Sequence, residues 1–442
     1  MTFRCLLFAL LTTVGWGLLF AQDGRARRIT LQDAISLALE NNETLRIARN
    51  EVANAHARIR EAWADALPQI NFNAVYTRNF MRPVFFFPDP ITGEQRPFRV
   101  GSTNSYQMLV TFDQTLFQAG KVSGGIKAAN LFKEFSDEGF RASKANLILS
   151  VKRAFYTVLL NKQLVEINRQ SVEQQRAHLM STRKLFEQGQ VSELDTLRAW
   201  VDYTNLQPQV LRAVNNLLIA ENQLKDLMGL DLEEAIVVVG ELDYEPAANP
   251  SLEALQEEAF RNRPELRQLE FEAAMRSQNV GITRADLMPK LFLTGSYQSL
   301  AQSDAFDLGS GFQNSFFGGL RIEWPLFNGM RTSARVQQAR LEYENAQYRL
   351  RLFRDQLKME IKTIFLNLNE AAKRVEVQRH AIRQAERALF MARRRYNEGV
   401  GTQLELGDAL LALNLTRTNY VQAVFDYQLA LAELEKAVGR ID

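Results

Sequence analysis

The composition excludes several classes of protein before any motif is considered. The chain has 442 residues, with 53 basic against 51 acidic, and this balance without a charged tail gives no indication of nucleic-acid binding. Its single cysteine, Cys5, lies in the first 21 residues, so the rest of the chain can form no disulfide and no cysteine metal site.

The first 21 residues have the organisation of a secretory signal peptide. Arg4 gives a charged start, an apolar stretch runs from Leu6 to Phe20, and the small residue Ala21 follows. The alternative is a retained N-terminal anchor, but the stretch is short for a membrane span, which needs about 20 apolar residues. No later apolar run is long enough for a transmembrane helix, which leaves a soluble secreted protein or a membrane β-barrel.

The next elements are two helices and two amphipathic strands. A helix begins at a capping box formed by Thr30 and Asp33, and a second helix over 43–67 ends before Pro68. Alternating apolar and polar residues predict strands at about 69–80 and 104–116. The segment between them, 81–101, contains four prolines and two glycines, so we expect it to be a loop.

The predicted strands have two features of membrane strands. They are about 9–12 residues long, as tilted transmembrane strands are. Their apolar faces also end in aromatic side chains, as an interfacial girdle would. An ordinary half-buried sheet in a soluble domain is the alternative. The aromatic residues concerned are Tyr76, Phe80, Tyr106, Phe112, Tyr297 and Trp324.

A long helix with a narrow apolar seam follows the strands. No proline occurs from Lys121 to Glu187, a length of about 100 Å as a helix. Apolar residues recur every seven positions, which indicates coiled-coil packing. The companion column is small and polar, with Asn161, Asn168 and Gln175. This pattern favours helices that contact each other along a narrow stripe and expose their two broad sides to water, as in a hollow cylinder. A simple antiparallel hairpin rod is the alternative.

The whole arrangement occurs twice. Residues 41–70 align with 262–291, and the later glycines Gly189 and Gly229 correspond to Gly399 and Gly439 at an offset of 210 residues. We therefore divide the chain into a first repeat at 22–228, a linker with one short strand at 229–250, and a second repeat at 251–442. The strands of the second repeat are expected at about 290–300 and 314–327.

A sheet of four strands with one apolar face is not stable by itself in lipid. Its two edges would expose unpaired backbone groups, each costing several kcal/mol. A closed barrel needs at least about eight strands, so closure requires a homo-oligomer. Strand number alone allows either a dimer or a trimer.

The ordered motifs of this chain resemble those of the TolC-like outer-membrane efflux proteins. The resemblance rests on "ITLQDAISLALENNETL" (29–45), the paired steps "LPQI" and "MPKL", the pair "TLFQAGK" and "PLFNGMR", and the turns "FEQGQVSELD" and "YNEGVGTQLELGD". It implies a mainly α protein with membrane β-structure, in which four strands per chain join a trimeric 12-stranded β-barrel atop an α-helical coiled-coil barrel. It further implies an outer-membrane channel with its helices in the periplasm.

The same resemblance implies function and partners. The channel would serve a tripartite efflux or type I secretion system, together with a periplasmic adaptor and an inner-membrane pump, and would export small molecules or proteins. A periplasmic coiled-coil adaptor or structural protein without a barrel is the alternative. We expect no enzyme and no cofactor, because there is no nucleophile elbow, phosphate loop or zinc motif. The three histidines, His56, His178 and His380, are predicted to be solvated helix residues.

The resemblance also implies a gate at the two hairpin turns. The gate acid of the family falls on Asp195, its gate tyrosine on Tyr396, and its ring of pore acids on Glu405 and Asp408. Asp195 and Glu405 have an alternative role as helix caps, since each lies three residues after a serine or threonine. Where the family archetype has a basic residue that locks the closed state, this chain has Gly401.

The turn residues themselves match the place where the family meets its adaptor. The alternative is that they simply form the turns, and the two roles are compatible. These residues are Gly189, Val191, Ser192, Gly399, Val400 and Thr402.

Overall fold

The computed structural model describes residues 27–88, 91, 93–246, 250–307 and 311–440. The predicted signal peptide at 1–21 lies outside these ranges. Among the helices within them, none has both the length and the apolar character that crossing a membrane requires.

The two halves of the chain contain helices of equal length in the same order. Helices α1 and α5 have 11 residues, α2 and α6 have 22, α3 and α7 have 67, and α4 and α8 have 36. The first half contains β1 (Arg27–Ile29), α1 (Leu31–Asn41), α2 (Glu43–Ala64), β2 (Gln69–Arg78), β3 (Val84–Pro88), β4 (Gln95–Arg99), β5 (Asn104–Phe117), α3 (Lys121–Glu187) and α4 (Glu193–Met228). The second half contains β6 (Ile236–Val238), α5 (Leu252–Asn262), α6 (Pro264–Ala285), β7 (Lys290–Ser303), β8 (Gln313–Glu323), α7 (Arg331–Asn397) and α8 (Gln403–Val438).

The capping box predicted for the first helix is confirmed. The Asp33 amide donates to Thr30 Oγ1 at 3.2 Å, and the Thr30 amide donates to Asp33 Oδ2 at 3.0 Å. These bonds satisfy two amides that a helix start leaves without partners. The Thr30 hydroxyl also donates to Asp33 Oδ2 at 2.6 Å, and this bond, with that from the Thr30 amide, holds the pKa of the Asp33 carboxyl below its usual value.

The four predicted strands form one antiparallel sheet in the order β2-β5-β7-β8. Its register places the apolar side of each strand on the same face, because directly paired residues point the same way. Across this face, Phe72 pairs with Val110, Val110 with Tyr297, and Tyr297 with Phe316. The sheet is therefore amphipathic as a whole.

The opposite face of the sheet is polar. Asn71 pairs with Thr111 across β2 and β5, and the Arg321 guanidinium lies 3.6 Å from the Asp113 carboxylate. Phe292, which interrupts the polar pattern of β7, is covered by the same guanidinium at 4.8 Å from its ring centre. This cation–π contact explains how Phe292 is tolerated on a polar face.

The prediction of a loop over 81–101 is wrong, because this segment contains the hairpin of β3 and β4. The four prolines of this segment were part of the reason for predicting a loop, yet Pro97 lies within β4 opposite Phe86. Proline is tolerated there because both strands of an isolated hairpin are edge strands, whose outward amides need no partner.

Other strands differ from prediction in extent. Strand β7 reaches Ser303 rather than about 300, while β8 ends at Glu323 rather than about 327 because Pro325 has no amide to donate. The linker contains the one short strand that was expected, β6. It pairs in parallel with β1, which the sequence did not indicate.

The main core lies at mid-length of the long helices. The heptad residues Val151 and Val158 of α3 and Ile361 and Val375 of α7 are almost fully buried there. At this level the companion residues Asn161 and Asn168 of α3 are only half-buried, and Asn161 donates to the carbonyl of its own helix at Thr157. A narrow seam with a polar margin thus holds the helices together, as the pattern predicted.

Candidate functional site

The turns of the two helical hairpins lie side by side at the end of the molecule furthest from the sheet. The α3–α4 turn spans 188–192 and the α7–α8 turn spans 398–402. A second apolar cluster, separate from the main core, joins them. It contains Leu389, Tyr396, Leu406, Leu410 and Leu413, with Leu185 of α3 packed against it. This cluster fixes the second hairpin to the first.

Tyr396, the predicted gate tyrosine, connects α7 to α3. Its hydroxyl lies 3.4 Å from Thr182 Oγ1, and its ring meets the ring of His178 edge to face at 5.4 Å. The tyrosine is 9% exposed. The side-chain partners of Tyr396 therefore lie on α3.

His178 is buried, contrary to the prediction that it is a solvated helix residue. Only 8% of it is exposed, and its Nε2 atom has no hydrogen-bond partner within the described chain. Burial lowers the pKa of the imidazole, Asp202 of α4 opposes this effect, and Arg393 of α7 adds to it. The sequence contained a usable signal, since position 178 lies between Gln175 and Thr182 of the polar companion column.

Asp195 is engaged as a helix cap. Its Oδ2 accepts hydrogen bonds from the Ser192 amide at 3.2 Å and the Ser192 hydroxyl at 2.7 Å. The Asp195 amide donates in return to Ser192 Oγ at 3.3 Å. This reciprocal arrangement is the capping box weighed from the sequence, and it fixes the start of α4.

Glu405 makes only half of the corresponding cap. Its amide donates to Thr402 Oγ1 at 3.2 Å. Its carboxylate is instead 3.8 Å from Arg395 Nη2, and Arg395 also reaches the Val400 carbonyl at 3.5 Å. The sequence did not single out Arg395, which supplies a basic group to the turn that contains Gly401.

The geometry of the turn explains why position 401 is glycine. A Cβ atom there would lie 2.9 Å from the Tyr396 nitrogen, closer than real Cβ contacts, and 3.0 Å from the Arg395 carbonyl carbon. The Gly401 amide donates to the Arg395 carbonyl at 3.0 Å. The chain folds tightly over the end of α7, which leaves no room for the basic side chain of the family archetype.

Asp408 is exposed and lies one turn further along α8 than Glu405. It borders a cavity of about 360 Å³ between α3, α4 and α8, together with Arg198 and Asp202. Gln175 and Gln403 also line this cavity, each is 8% exposed, and each has side-chain atoms without a partner in the described chain. The region beside Asp408 is therefore polar and able to hold water.

The predicted adaptor-contact residues form the two turns and remain accessible. Gly189 and Gly399 adopt φ angles of 69° and 74°, and their amides donate to the carbonyls of Phe186 and Tyr396. This left-handed conformation favours glycine and ends each long helix. Val400 is 66% exposed, so a large apolar side chain lies open at the tip. Ser192 and Thr402 are exposed and Val191 is half-buried.

An amphipathic four-stranded sheet joined to two long helical hairpins defines an outer-membrane channel protein. The profile of the outer membrane efflux protein family matches residues 34–230 and 255–440, and the chain belongs to this family. Family membership confirms the resemblance stated from the sequence. It also places the protein in the outer membrane, in a family of channels rather than of enzymes.

Individual relatives and solved structures agree with this assignment. The chain is 26% identical to the alkaline protease secretion protein AprF of Pseudomonas aeruginosa, over 96% of this chain and 87% of the relative. It is 22% identical to outer membrane protein TolC of Vibrio cholerae, over 93% and 91%. The fold matches the outer-membrane channel OprN, with a TM-score of 0.79, 20% identity and coverage of 92% and 89%. It also matches the Campylobacter jejuni CmeC outer membrane channel, with a TM-score of 0.81, 17% identity and coverage of 92% and 85%.

Proposed function

We propose that this protein is the outer-membrane channel of a tripartite efflux or type I secretion system. It would give small molecules or proteins a continuous exit duct across the periplasm. The observation that carries the proposal is the register of the sheet, which collects the apolar residues of four strands on one face. An adaptor or structural protein without a membrane part has no need of such a face.

The proposed active form is a trimer. Strands β2 and β8 are the two ends of the sheet and are exposed along their whole lengths of 10 and 11 residues. Their outer backbone groups need partners in lipid, and a neighbouring copy supplies them if its β8 pairs with β2. Three copies would close a 12-stranded barrel with an aqueous interior lined by the polar face of the sheet.

In the proposed gate, the second hairpin is held against the first when the channel is closed. Tyr396, His178 and Thr182 form the contact between α7 and α3 that must separate when the tips open. Asp195 contributes by fixing the start of α4, and Glu405 by its approach to Arg395. Asp408 would supply one carboxylate per subunit to a ring that selects cations.

The proposed partners are a periplasmic adaptor and an inner-membrane pump. The adaptor would bind the tips, which expose Val400, Gly399 and Thr402 on one turn and Gly189 and Ser192 on the other. Accessible backbone and one exposed valine suit docking of another helical hairpin. Val191 is the half-buried member of this surface.

Fractionation of cells that produce the full chain tests the proposal. We expect the protein in outer membranes, as an oligomer that withstands detergent and dissociates on heating. Purified protein in planar bilayers should conduct ions. Recovery of a soluble monomer that is folded and does not conduct would contradict the channel function.

A further inference from the structure

The β3–β4 hairpin exposes a concentration of large apolar side chains. Each of the five largest in its strands is between 42% and 62% exposed. These residues are Val84, Phe85, Phe86, Phe87 and Phe98. Exposed apolar groups at this density mark an interaction surface.

Both faces of this hairpin are apolar. Phe85 pairs with Phe98 on one face, and Phe86 pairs with Pro97 on the other. A two-stranded hairpin is marginally stable in water on its own. Contact with a single protein surface would cover one face only, so the surroundings must accept apolar groups on both sides.

The hairpin begins at the rim of the sheet furthest from the helices. The Asn79 amide donates to the Thr103 carbonyl at 2.8 Å, so the β2–β5 pairing continues toward the hairpin. Asp304, just after β7, fixes its base by accepting bonds from the Thr103 amide at 2.9 Å and from Arg82 at 3.2 Å. From this base the strands of five residues extend about 17 Å.

Aromatic side chains on the apolar face mark the same rim as a membrane interface. Tyr76 stacks on Tyr106 with 5.1 Å between ring centres, and the Phe306 ring meets Tyr76 edge to face at 5.8 Å. Such girdles lie at the level of lipid headgroups in membrane barrels. The hairpin therefore starts at headgroup height.

The charge of the segment is positive. Residues 78–103 contain four arginines, Arg78, Arg82, Arg96 and Arg99, against two acids, Asp89 and Glu94. Neither β3 nor β4 contains an acid. Aromatic residues with arginines are typical of segments that lie on anionic lipid surfaces.

We propose that the β3–β4 hairpin lies in the headgroup layer of the outer leaflet and binds its anionic glycolipids. The phenylalanines would enter the upper acyl region, while the exposed Arg99 pairs with a glycolipid phosphate. The depth is shallow because the outer backbone groups of both strands need polar partners, which hydrocarbon does not provide. The inference rests on the proposed membrane barrel, since that barrel sets the height of the hairpin.

Site-specific quenching tests this placement in the full-length oligomer. In a Cys5→Ser background, a bimane label is attached at Phe86→Cys, at Phe316→Cys on the apolar sheet face, or at Gln190→Cys on a helical tip. Each protein is reconstituted into phosphatidylcholine vesicles with or without lipid A, with bromine at shallow or deep acyl positions. We expect strong shallow quenching at 86 that increases with lipid A, quenching at 316 in all vesicles, and none at 190.

The charge contribution is measured by adding Arg99→Ser to the labelled Phe86→Cys protein. Because each arginine near an anionic surface contributes about 1 kcal/mol, the change should lower the partition of the hairpin into lipid A vesicles about fivefold. In vesicles without lipid A the same change should have little effect.

Three results would overturn the inference. If the label at 86 stays in water while the label at 316 is quenched, the hairpin does not enter the membrane, although the barrel does. Self-quenching at 86 that falls when labelled chains are diluted with unlabelled chains would show that the hairpins cover one another. Absence of quenching at 316 would contradict the barrel itself, and the inference with it.

Discussion

At the scale of single residues, the tip depends on a few close contacts between the hairpins. The Tyr396 ring lies against His178 and close to Thr182, and Gly401 lets the chain fold over the end of α7. The sequence, through the family resemblance, indicated Tyr396 as important. It was not used to indicate His178, although Gln175 and Thr182, three residues before it and four after it, lie on the same helix face.

The tip contact should weaken as pH falls. Burial lowers the pKa of His178, so the packed arrangement requires neutral imidazole and is fully stable only above the ordinary histidine pKa of about 6.5. Below that pH, protonation favours any state in which the ring reaches water. Asp202 limits this effect, and Arg393 reinforces it. Single-channel openings should therefore become more frequent between pH 7 and pH 5, roughly the window of histidine titration.

A matched pair of variants isolates this effect. His178→Gln should largely abolish the increase in openings with acid. His380→Gln should leave it unchanged, because His380 is an exposed histidine of α7. An equal pH dependence in both variants would mean that another group controls the tip.

Substitution of Gly401 should disturb the position of Tyr396. An added Cβ would meet the backbone of Arg395 and Tyr396 at 2.9–3.0 Å, and overpacking of this kind costs about 1–3 kcal/mol. Gly401→Ala should therefore make the α7–α8 turn easier to cleave in limited proteolysis. Gly407→Ala is the control, because its Cβ would meet nothing within 4 Å and alanine favours helix by about 1 kcal/mol. Equal cleavage of the two variants would contradict the account of this turn.

Asp408 provides a test of ion selection. If three copies of this exposed carboxylate form a ring, Asp408→Ala should weaken block of the single-channel current by trivalent cations. Asp195→Asn is a useful comparison, because Asp195 serves in a cap and its loss should alter the turn more than the block. Unchanged block in Asp408→Ala would place the selecting acids elsewhere.

At the scale of elements, the sheet offers two neighbouring positions with opposite expected behaviour. Phe316 lies on the apolar face, opposite Tyr297, whereas Phe317 lies on the polar face, opposite Ser296. Phe316→Arg would put a charge into lipid and should cost about 2–4 kcal/mol near the bilayer centre. Phe317→Arg should cost much less because it faces the lumen. The denaturant midpoint of the reconstituted protein measures the difference, and equal midpoints would contradict the assignment of faces.

The sequence predicted elements well where a single physical rule decides them. Heptad spacing predicted the long helices, and period-two alternation predicted the four strands, because each pattern reports one buried or lipid-facing side. The β3–β4 hairpin was missed because its two faces are both apolar, which removes the alternation, and because Pro97 argues against a sheet strand. Strand β1 was missed because its partner β6 is distant in the chain, and three residues carry no periodic signal.

Less of the candidate site than of the fold could be predicted from the sequence. The capping role of Asp195 follows from its distance from Ser192, and the turns follow from Gly189 and Gly399. The partner of Tyr396 does not follow from the sequence, because it depends on how far one hairpin is shifted along the other. That shift is set by packing of the tip cluster around Leu406 and Leu410, which the local sequence does not encode.

At the scale of the whole molecule, a single chain leaves surfaces and strand edges that need partners. Its sheet has one apolar face and two open edges, and its long helices share a narrow seam rather than a filled interior. Both features are explained if identical chains surround a common water-filled lumen. The same arrangement would place the tips at one end for the adaptor and the β3–β4 hairpins at the other end for the outer leaflet.

The most direct test of this account is the mass of the protein extracted from outer membranes, measured by native mass spectrometry. We expect an assembly of three chains that releases monomers only when the sheet unfolds, because each open edge is closed by the next copy. A folded monomer that keeps its sheet in detergent, with β2 and β8 unpaired, would contradict the account.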